Sequence, residues 1–509
     1  MKKIFFISIA SLTVLSGCSK LLDKEPDNRT KLDSPEKISQ LLGSAYPQQN
    51  YQPMAELSSD NVDDLLTQDL GSQDWVRLTT DLYRFQDNSG SATNEDTPEG
   101  YWFGCYRAIA ACNLALTAID KIAPAEQAKY KAQRGEALMA RAYAHFMLVN
   151  FFSKFYNKAI AASSPGVPYV TEPEEVSVKK YERKTVQYVY DMIEKDMQQG
   201  LPMIDDNNYK VAKYHFNRAA AHAFAARFYL HKNEMDSVIT HAREAVPENS
   251  FRNYLRPWNS VYTNLDLNGN GSLSQVYGKA TENANLLLAE SQSWWLRLFG
   301  TGRYGLSPEL VDYGGGFAHV ADGPWAYRLV FFIQGHSFIP KVDEYFVETS
   351  LGSGIGNGWQ MITLFSTEEV LFNLAEAYTY KGENQKAIDL LNTYLSTRID
   401  GYDAVANNID AEKISGFYQQ NPDLLKVNPL ETVNAGTKEL INILLDYKQM
   451  EFVHEGLRWF DILRYGIEVN HFEYMPPPVK KYTLAANSIH RVFEIPATAK
   501  NQAGLAGNR

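Results

Sequence analysis

Residues 223–246 (AFAARFYLHKNEMDSVITHAREAV) and 372–395 (FNLAEAYTYKGENQKAIDLLNTYL) repeat one another at a constant offset of 149 positions, which restricts the folds open to this chain. Ala226 aligns with Ala375, Tyr229 with Tyr378, Asn233 with Gly382 and Ile239 with Ile388. Asn and Gly most readily adopt the left-handed conformation that closes a helix. Each copy therefore reads as helix, tight turn, helix, with small residues where the two helices must approach. That is the tetratricopeptide pattern. The copies are not consecutive, so the spacing predicts helical pairs embedded in one larger fold, not a regular solenoid.

Other segments carry helical spacing too. Residues 101–121 place Trp102, Ile109, Leu116 and Ile119 on one side, and 133–153 place Leu138, Ala142, Phe146 and Val149 on one stripe. A further helix is expected over 185–201, ended by Gly200 and Pro202. Between the two repeats, residues 250–365 hold no long amphipathic period and are rich in Gly, Asn and aromatics, Trp258, Trp325 and Trp359 among them. Residues 55–100 are a second irregular stretch, with Asp60, Asn61, Asp63, Asp64 and Tyr83. The expected class is mainly α: a single domain built on tetratricopeptide-like helical pairs, with long irregular, aromatic-rich loop segments. Such loops, carried on a rigid helical base, are where binding is expected.

The N-terminus sets the compartment. Lys2-Lys3, a mostly apolar run from Ile4 to Leu15 and then Ser16-Gly17-Cys18 form a secretory signal. The run is too short for a bilayer, which needs about 20 apolar residues. Small residues before Cys18 match the bacterial lipobox, which would make Cys18 the lipidated first residue of the mature chain. The expected layout is a signal peptide over 1–17, the lipidated Cys and a tether over 18–40, and one domain over 41–509. The protein would then work outside the cytoplasm, held to a membrane by acyl chains. No later stretch reaches 18 apolar residues without a charge, so no other segment is expected to span the membrane. The formal net charge of −11 and the lack of a basic stripe argue against nucleic acid and other polyanions as ligands. Cys105 and Cys112 lie about two helical turns apart, ~10.5 Å, beyond the ~7 Å a disulfide tolerates. They read as small core residues.

Catalytic and metal motifs are missing: there is no HExxH, GxSxG or phosphate-binding loop. Gly352–Gly358 lacks a strand-to-helix setting and reads as a surface loop. Asp266-Leu-Asn268-Gly-Asn270-Gly271 opens like a calcium loop, but Tyr277 stands where the bidentate Glu belongs, so it reads as a turn. We assign no catalytic residue, metal or cofactor. The aromatics suggest binding: sugar rings stack their CH faces on Trp or Tyr, while Asp, Asn and Arg take the hydroxyls. The candidate ligand-binding residues are Asp74 and Trp75, followed by Arg77, and Trp294, Trp295, Arg297 and Tyr304.

Several motifs together resemble the SusD/RagB-like outer-membrane nutrient-binding lipoproteins. They are Leu21-Leu22-Asp23-Lys24-Glu25-Pro26-Asp27 after the lipobox, Tyr106-Arg107 through Asn113, Arg141-Ala142-Tyr143, Gly166-Val167-Pro168 and Glu368 through Ala377. The most specific is Glu451-Phe452-Val-His-Glu455-Gly456-Leu-Arg458-Trp459-Phe460-Asp461-Ile-Leu-Arg464, inside a C-terminal signature region of about 365–509, with Phe493-Glu494-Ile495-Pro496 as the closing segment. The charges in that signature are spaced for pairing along one helix. The resemblance implies four tetratricopeptide-like pairs and a TonB-dependent SusC-like transporter as partner, over which the lipoprotein sits as a lid. It also implies nutrient capture without chemistry, most often of an oligosaccharide or polysaccharide and in some members of a peptide. A lipoprotein glycoside hydrolase is the alternative from another functional class.

Overall fold

Side-chain caps set where many of the helices begin. Ser34 opens Pro35–Leu42 (α1), Ser72 opens Gln73–Tyr83 (α2) and Thr97 opens Pro98–Asp120 (α3), each accepting a hydrogen bond from a first-turn N–H. Then follow Lys131–Phe152 (α4), Val186–Gly200 (α5), Arg218–Lys232 (α6) and Met235–Ala245 (α7). Thr367–Tyr380 (α8), Asn384–Leu395 (α9), Thr437–Glu451 (α10) and Arg458–Tyr465 (α11) complete the main helices. The computed structural model describes residues 31–67, 71–91, 94–174, 179–267, 271–295, 299, 302–308, 310, 320–327, 330–331 and 336–509. The signal peptide, Cys18 and Arg297 lie outside the described residues.

Both repeats are helical hairpins. Asn233 closes α6 at φ 62° and ψ 36°, and Gly382 turns between α8 and α9 at φ 74°, the left-handed conformation expected of each. Helix α3 packs along α4 and α4 along α5, while α7 lies against α8, which also meets α10. The stripe expected on α4 is only part of what it buries. Every side chain from Ala137 to Phe152 is covered, so α4 is a central helix without a solvent face. Helix α3 is apolar and long enough to cross a membrane, yet most of it is buried against its neighbours. Gly200 does not end α5 through a left-handed turn, because its φ is −76°. A Cβ there would lie 2.9 Å from the Leu138 Cβ and 3.0 Å from the Gly135 carbonyl oxygen, so the glycine permits close packing of α5 on α4.

Residues 250–365, read from sequence as irregular, contain strands. In chain order the labelled strands are Val62–Asp64 (β1), Asn285–Gln292 (β2), Tyr304–Leu306 (β3), Glu344–Glu348 (β4), Gly356–Ser366 (β5), Val469–Glu473 (β6) and Lys480–Leu484 (β7). A three-stranded antiparallel sheet runs β2–β5–β4, with Gln292 opposite Trp359 and Glu344 opposite Gln360. Strand β2 is buried on both faces over most of its length, so it shows no alternation to read. Strand β5 does alternate, but Gly356 and Gly358 at its start disguise it. Of the glycine run, Gly352 and Gly354 lie in the exposed turn between β4 and β5, at φ 77° and 65°. Three smaller antiparallel pairs are β1 with β3, β6 with β7, and Val330–Phe331 with Ser337–Phe338.

The C-terminal signature departs most from its expected form. It is not one helix, because His454 (φ 73°) and Gly456 (φ 72°) break the chain between α10 and α11. A Cβ at Gly456 would also stand 3.1 Å from the Ala55 Cβ, a second demand for glycine. The five charges therefore do not pair along a helix, and each reaches a partner outside the segment. Glu451 accepts from Arg398 Nε at 2.8 Å, and Glu455 from Lys341 at 2.8 Å. Arg458 donates to both oxygens of Asp60, Asp461 accepts from Lys448 at 2.6 Å, and Arg464 donates to Glu376 at 2.6 Å. Burial works against the Glu451 carboxylate, but Arg398, with Lys341 and Arg256 nearby, outweighs it and holds Glu451 below the ordinary carboxylate range.

Removing one member of such a buried pair strands the other. Arg398→Ala should lower unfolding stability by about 3–5 kcal/mol, measured by urea denaturation. A loss near that of an exposed control, within about 0.5 kcal/mol, would contradict the role given to this pair.

Candidate ligand-binding cleft

The N-terminal turn of α2 forms one wall of a cleft of about 670 Å³. Ser72 Oγ accepts from the Trp75 N–H at 3.3 Å and fixes the turn. Gly71, at φ 115°, lets the chain pass beside the indole, since a Cβ there would lie 3.0 Å from Trp75 Cδ1. Trp75 is half-buried, and Asp74 beside it is exposed. Arg77 is exposed and held only loosely by Asp81 one turn on, at 3.7 Å. The volume falls within the ordinary range for small-molecule sites.

The loop before α3 makes the opposite wall. Asn88 Oδ1 accepts from the Gly90 N–H at 2.9 Å, and its Nδ2 donates to Asp81 at 2.8 Å. Thr97 Oγ1 accepts from Gly100 N–H and donates to the carbonyls of Ser91 and Asn94, so the cap of α3 also holds this loop. Trp294, half-buried, supplies the third side. Asp96 joins the last two walls. Its carboxylate accepts from Ser293 Oγ at 2.7 Å and from the Trp294 N–H at 2.8 Å, with its own backbone left-handed at φ 60°. Only 1% of Asp96 is exposed. Burial pushes its carboxyl up to about 7, despite the two hydrogen bonds.

Of the residues singled out by sequence, the structure brings Asp74, Trp75 and Trp294 into this one cleft. Trp295 and Tyr304 lie elsewhere. Trp295 is 3% exposed and packs on Phe299 at 4.7 Å between ring centres. Successive side chains diverge here, so Trp294 turns to the cleft and Trp295 to the core. Tyr304 is also 3% exposed, stacked on Tyr83 at 4.1 Å, with its hydroxyl donating to Glu473 at 3.2 Å. Arg297 falls outside the described residues. Sequence reasoning missed Asn88, Asn94, Glu95 and Asp96. The polar run Asn94-Glu95-Asp96 just before the Thr97-Pro98 helix start was the available signal.

The cleft offers two indoles, exposed carboxylate and guanidinium groups and loop amides, which suits stacking combined with hydrogen bonding. Asp96 has the raised pKa of a general acid but not the position. Both its oxygens are taken up by the wall it holds. Among the described residues, no three His, Cys, Asp or Glu side chains are grouped to hold a metal ion.

A SusD-like family model described as "Starch-binding associating with outer membrane" matches residues 20–230, and the SusD family model matches residues 342–504. This chain belongs to the SusD/RagB family. It is 22% identical over 515 aligned positions to SusD-like protein P38 of Formosa agariphila, an alignment that covers 91% of this chain and 90% of that one. Among solved structures it is similar to a putative sugar binding protein from Bacteroides vulgatus, with TM-score 0.66, 20% identity and coverage of 94% and 98%. It is also similar to a laminarin binding SusD-like protein, with TM-score 0.58, 15% identity and coverage of 92% and 97%. At these identities the structural likeness establishes the helical fold.

The raised Asp96 carboxyl carries a pH signature in this SusD-family chain. The native state holds that proton more tightly than the unfolded chain between about pH 4 and pH 7, so this group makes stability fall as pH rises through the window. Asp96→Asn should flatten part of that fall in thermal midpoint, measured by scanning fluorimetry from about pH 4 to about pH 8. Identical slopes for the two proteins would contradict the assignment.

Proposed function

We propose that this SusD/RagB-family chain captures a glycan, an oligosaccharide or polysaccharide, at the outer surface of the outer membrane and passes it to a TonB-dependent SusC-like transporter. The observation that carries the proposal is the cleft shared by Trp75 and Trp294, with Asp74 and Arg77 at its edge. Two indoles accept the CH faces of sugar rings, and the charged and amide groups around them take the hydroxyls. The names of the relatives, a sugar binding protein and a laminarin binding SusD-like protein, support the same ligand class. Binding and release complete the task, so the chain acts without breaking bonds in its ligand.

The lipobox before Cys18 supports lipid anchoring, and the description of the matched family model supports the outer membrane as the site. A partner surface is supported by the β4–β5 hairpin, where the apolar side chains of Phe346, Val347, Leu351 and Ile355 are each exposed. Exposed apolar side chains gathered on one hairpin are a feature of surfaces that contact other proteins.

Isothermal titration of the whole chain in detergent against oligosaccharide and peptide panels tests the reading. Saturable binding to a glycan, weakened about tenfold or more in Trp75→Ala and in Trp294→Ala, is the expected result. Binding confined to the peptide panel would overturn the glycan assignment, and glycan binding indifferent to both substitutions would overturn the site.

A further inference from the structure

Helix α3 presents an unusual face to water. The solvent side of a surface helix is ordinarily polar. On α3 the outward positions are Phe103, Tyr106, Arg107, Ala110 and Leu114, and Leu114 is 45% exposed. Between Phe103 and Leu114 the single charged residue is Arg107. Phe103, Tyr106, Arg107 and Ala110 of this face form the floor of a second cleft, of about 300 Å³, whose lining shares no residue with the first. Arg107 lies about 15 Å along the helix from the Thr97 cap, at 1.5 Å per residue.

The walls are aromatic and fixed. Tyr106 donates its hydroxyl to the Pro168 carbonyl at 3.0 Å, and its ring lies 5.1 Å from that of Trp102. Tyr181 is held through its backbone N–H, which donates to the Ala503 carbonyl at 3.1 Å, and through its hydroxyl on Glu174. Leu505 closes one end. Polar groups stand ready at the rim. Arg107 and Glu172 are exposed lining residues, and neither side chain forms an ion pair among the described residues. A concave, mainly apolar site with a few free polar groups is the ordinary form of a small-molecule site.

We propose that this second cleft binds a further sugar unit, its ring face against Phe103, Tyr106 and Tyr181 and its hydroxyls on Arg107 and Glu172. The proposal rests on the glycan reading of the first cleft, because the donor set is the same: aromatic planes beside exposed planar polar groups. Two such sites on one chain hold a long glycan with more than the affinity of either, since the second contact becomes intramolecular.

The test is calorimetric stoichiometry with short oligosaccharides prepared from laminarin and from starch, too short to bridge the clefts. The whole chain in detergent should take two molecules. Trp75→Ala should leave one, and Arg107→Ala should weaken the other by about tenfold while sparing the first. Arg107 is exposed, so its loss leaves the fold intact. A single site abolished by Trp75→Ala would overturn the second cleft and leave the glycan reading standing. Absence of binding to wild type would overturn the glycan reading and this inference with it.

Discussion

Four side chains with no exposed surface hold the molecule together: Arg256, Glu368, Arg398 and Glu451. Arg256 donates to Glu368 at 2.7 Å, Arg398 bridges Glu368 at 3.0 Å and Glu451 at 2.8 Å, and Arg398 also donates to the Arg256 carbonyl at 3.0 Å. They come from the segment after α7, the first turn of α8, the turn that follows α9 and the end of α10. Burying such charges costs several kcal/mol per ion unless each finds its partner. The network therefore forms only when all four segments are in place, and it makes the docking of loops and helices cooperative.

From that centre the constraint spreads outward to the cleft. Lys341, just before β4, donates to Glu455, which also accepts from Tyr277 at 2.7 Å. Strand β4 pairs with β5, and the Gly358 carbonyl at the start of β5 accepts from the Ser293 N–H at 3.0 Å. Ser293 in turn reaches Asn50 and Asp96, and Asp96 holds the Trp294 backbone. The wall that carries one of the two cleft tryptophans is thus fixed through the sheet to the buried charges. A site ordered before its ligand arrives spends less of the interaction energy on ordering itself.

The helical hairpins were legible because their physics is local. Asn233 and Gly382 mark the turns by backbone freedom alone, and small residues such as Ala226 and Ala375 mark the close approach. The sheet was not, because β2 is buried on both faces and its pairing with β5 spans roughly 70 residues, a contact no local pattern encodes. The signature charges misled for a related reason. Their spacing fits one helix, and only the left-handed Gly456 and His454 redirect Arg458 to Asp60 and Arg464 to Glu376. In the cleft, composition pointed to Asp74, Trp75 and Trp294, but it could not separate Trp294 from Trp295. Which of two adjacent indoles faces outward depends on the hydrogen bond from the Trp294 N–H to Asp96, nearly two hundred residues away.

The most direct test of the proposed pre-ordered cleft is hydrogen–deuterium exchange of the whole chain with and without an oligosaccharide that saturates it in calorimetry. The account predicts slowed exchange in peptides covering 71–97 and 293–295 on addition of the glycan. Peptides around Arg256, Glu368, Arg398 and Glu451 should be slow in both states, because the network they share is already closed. Slowing confined to other segments, with 71–97 and 293–295 unchanged, would contradict it.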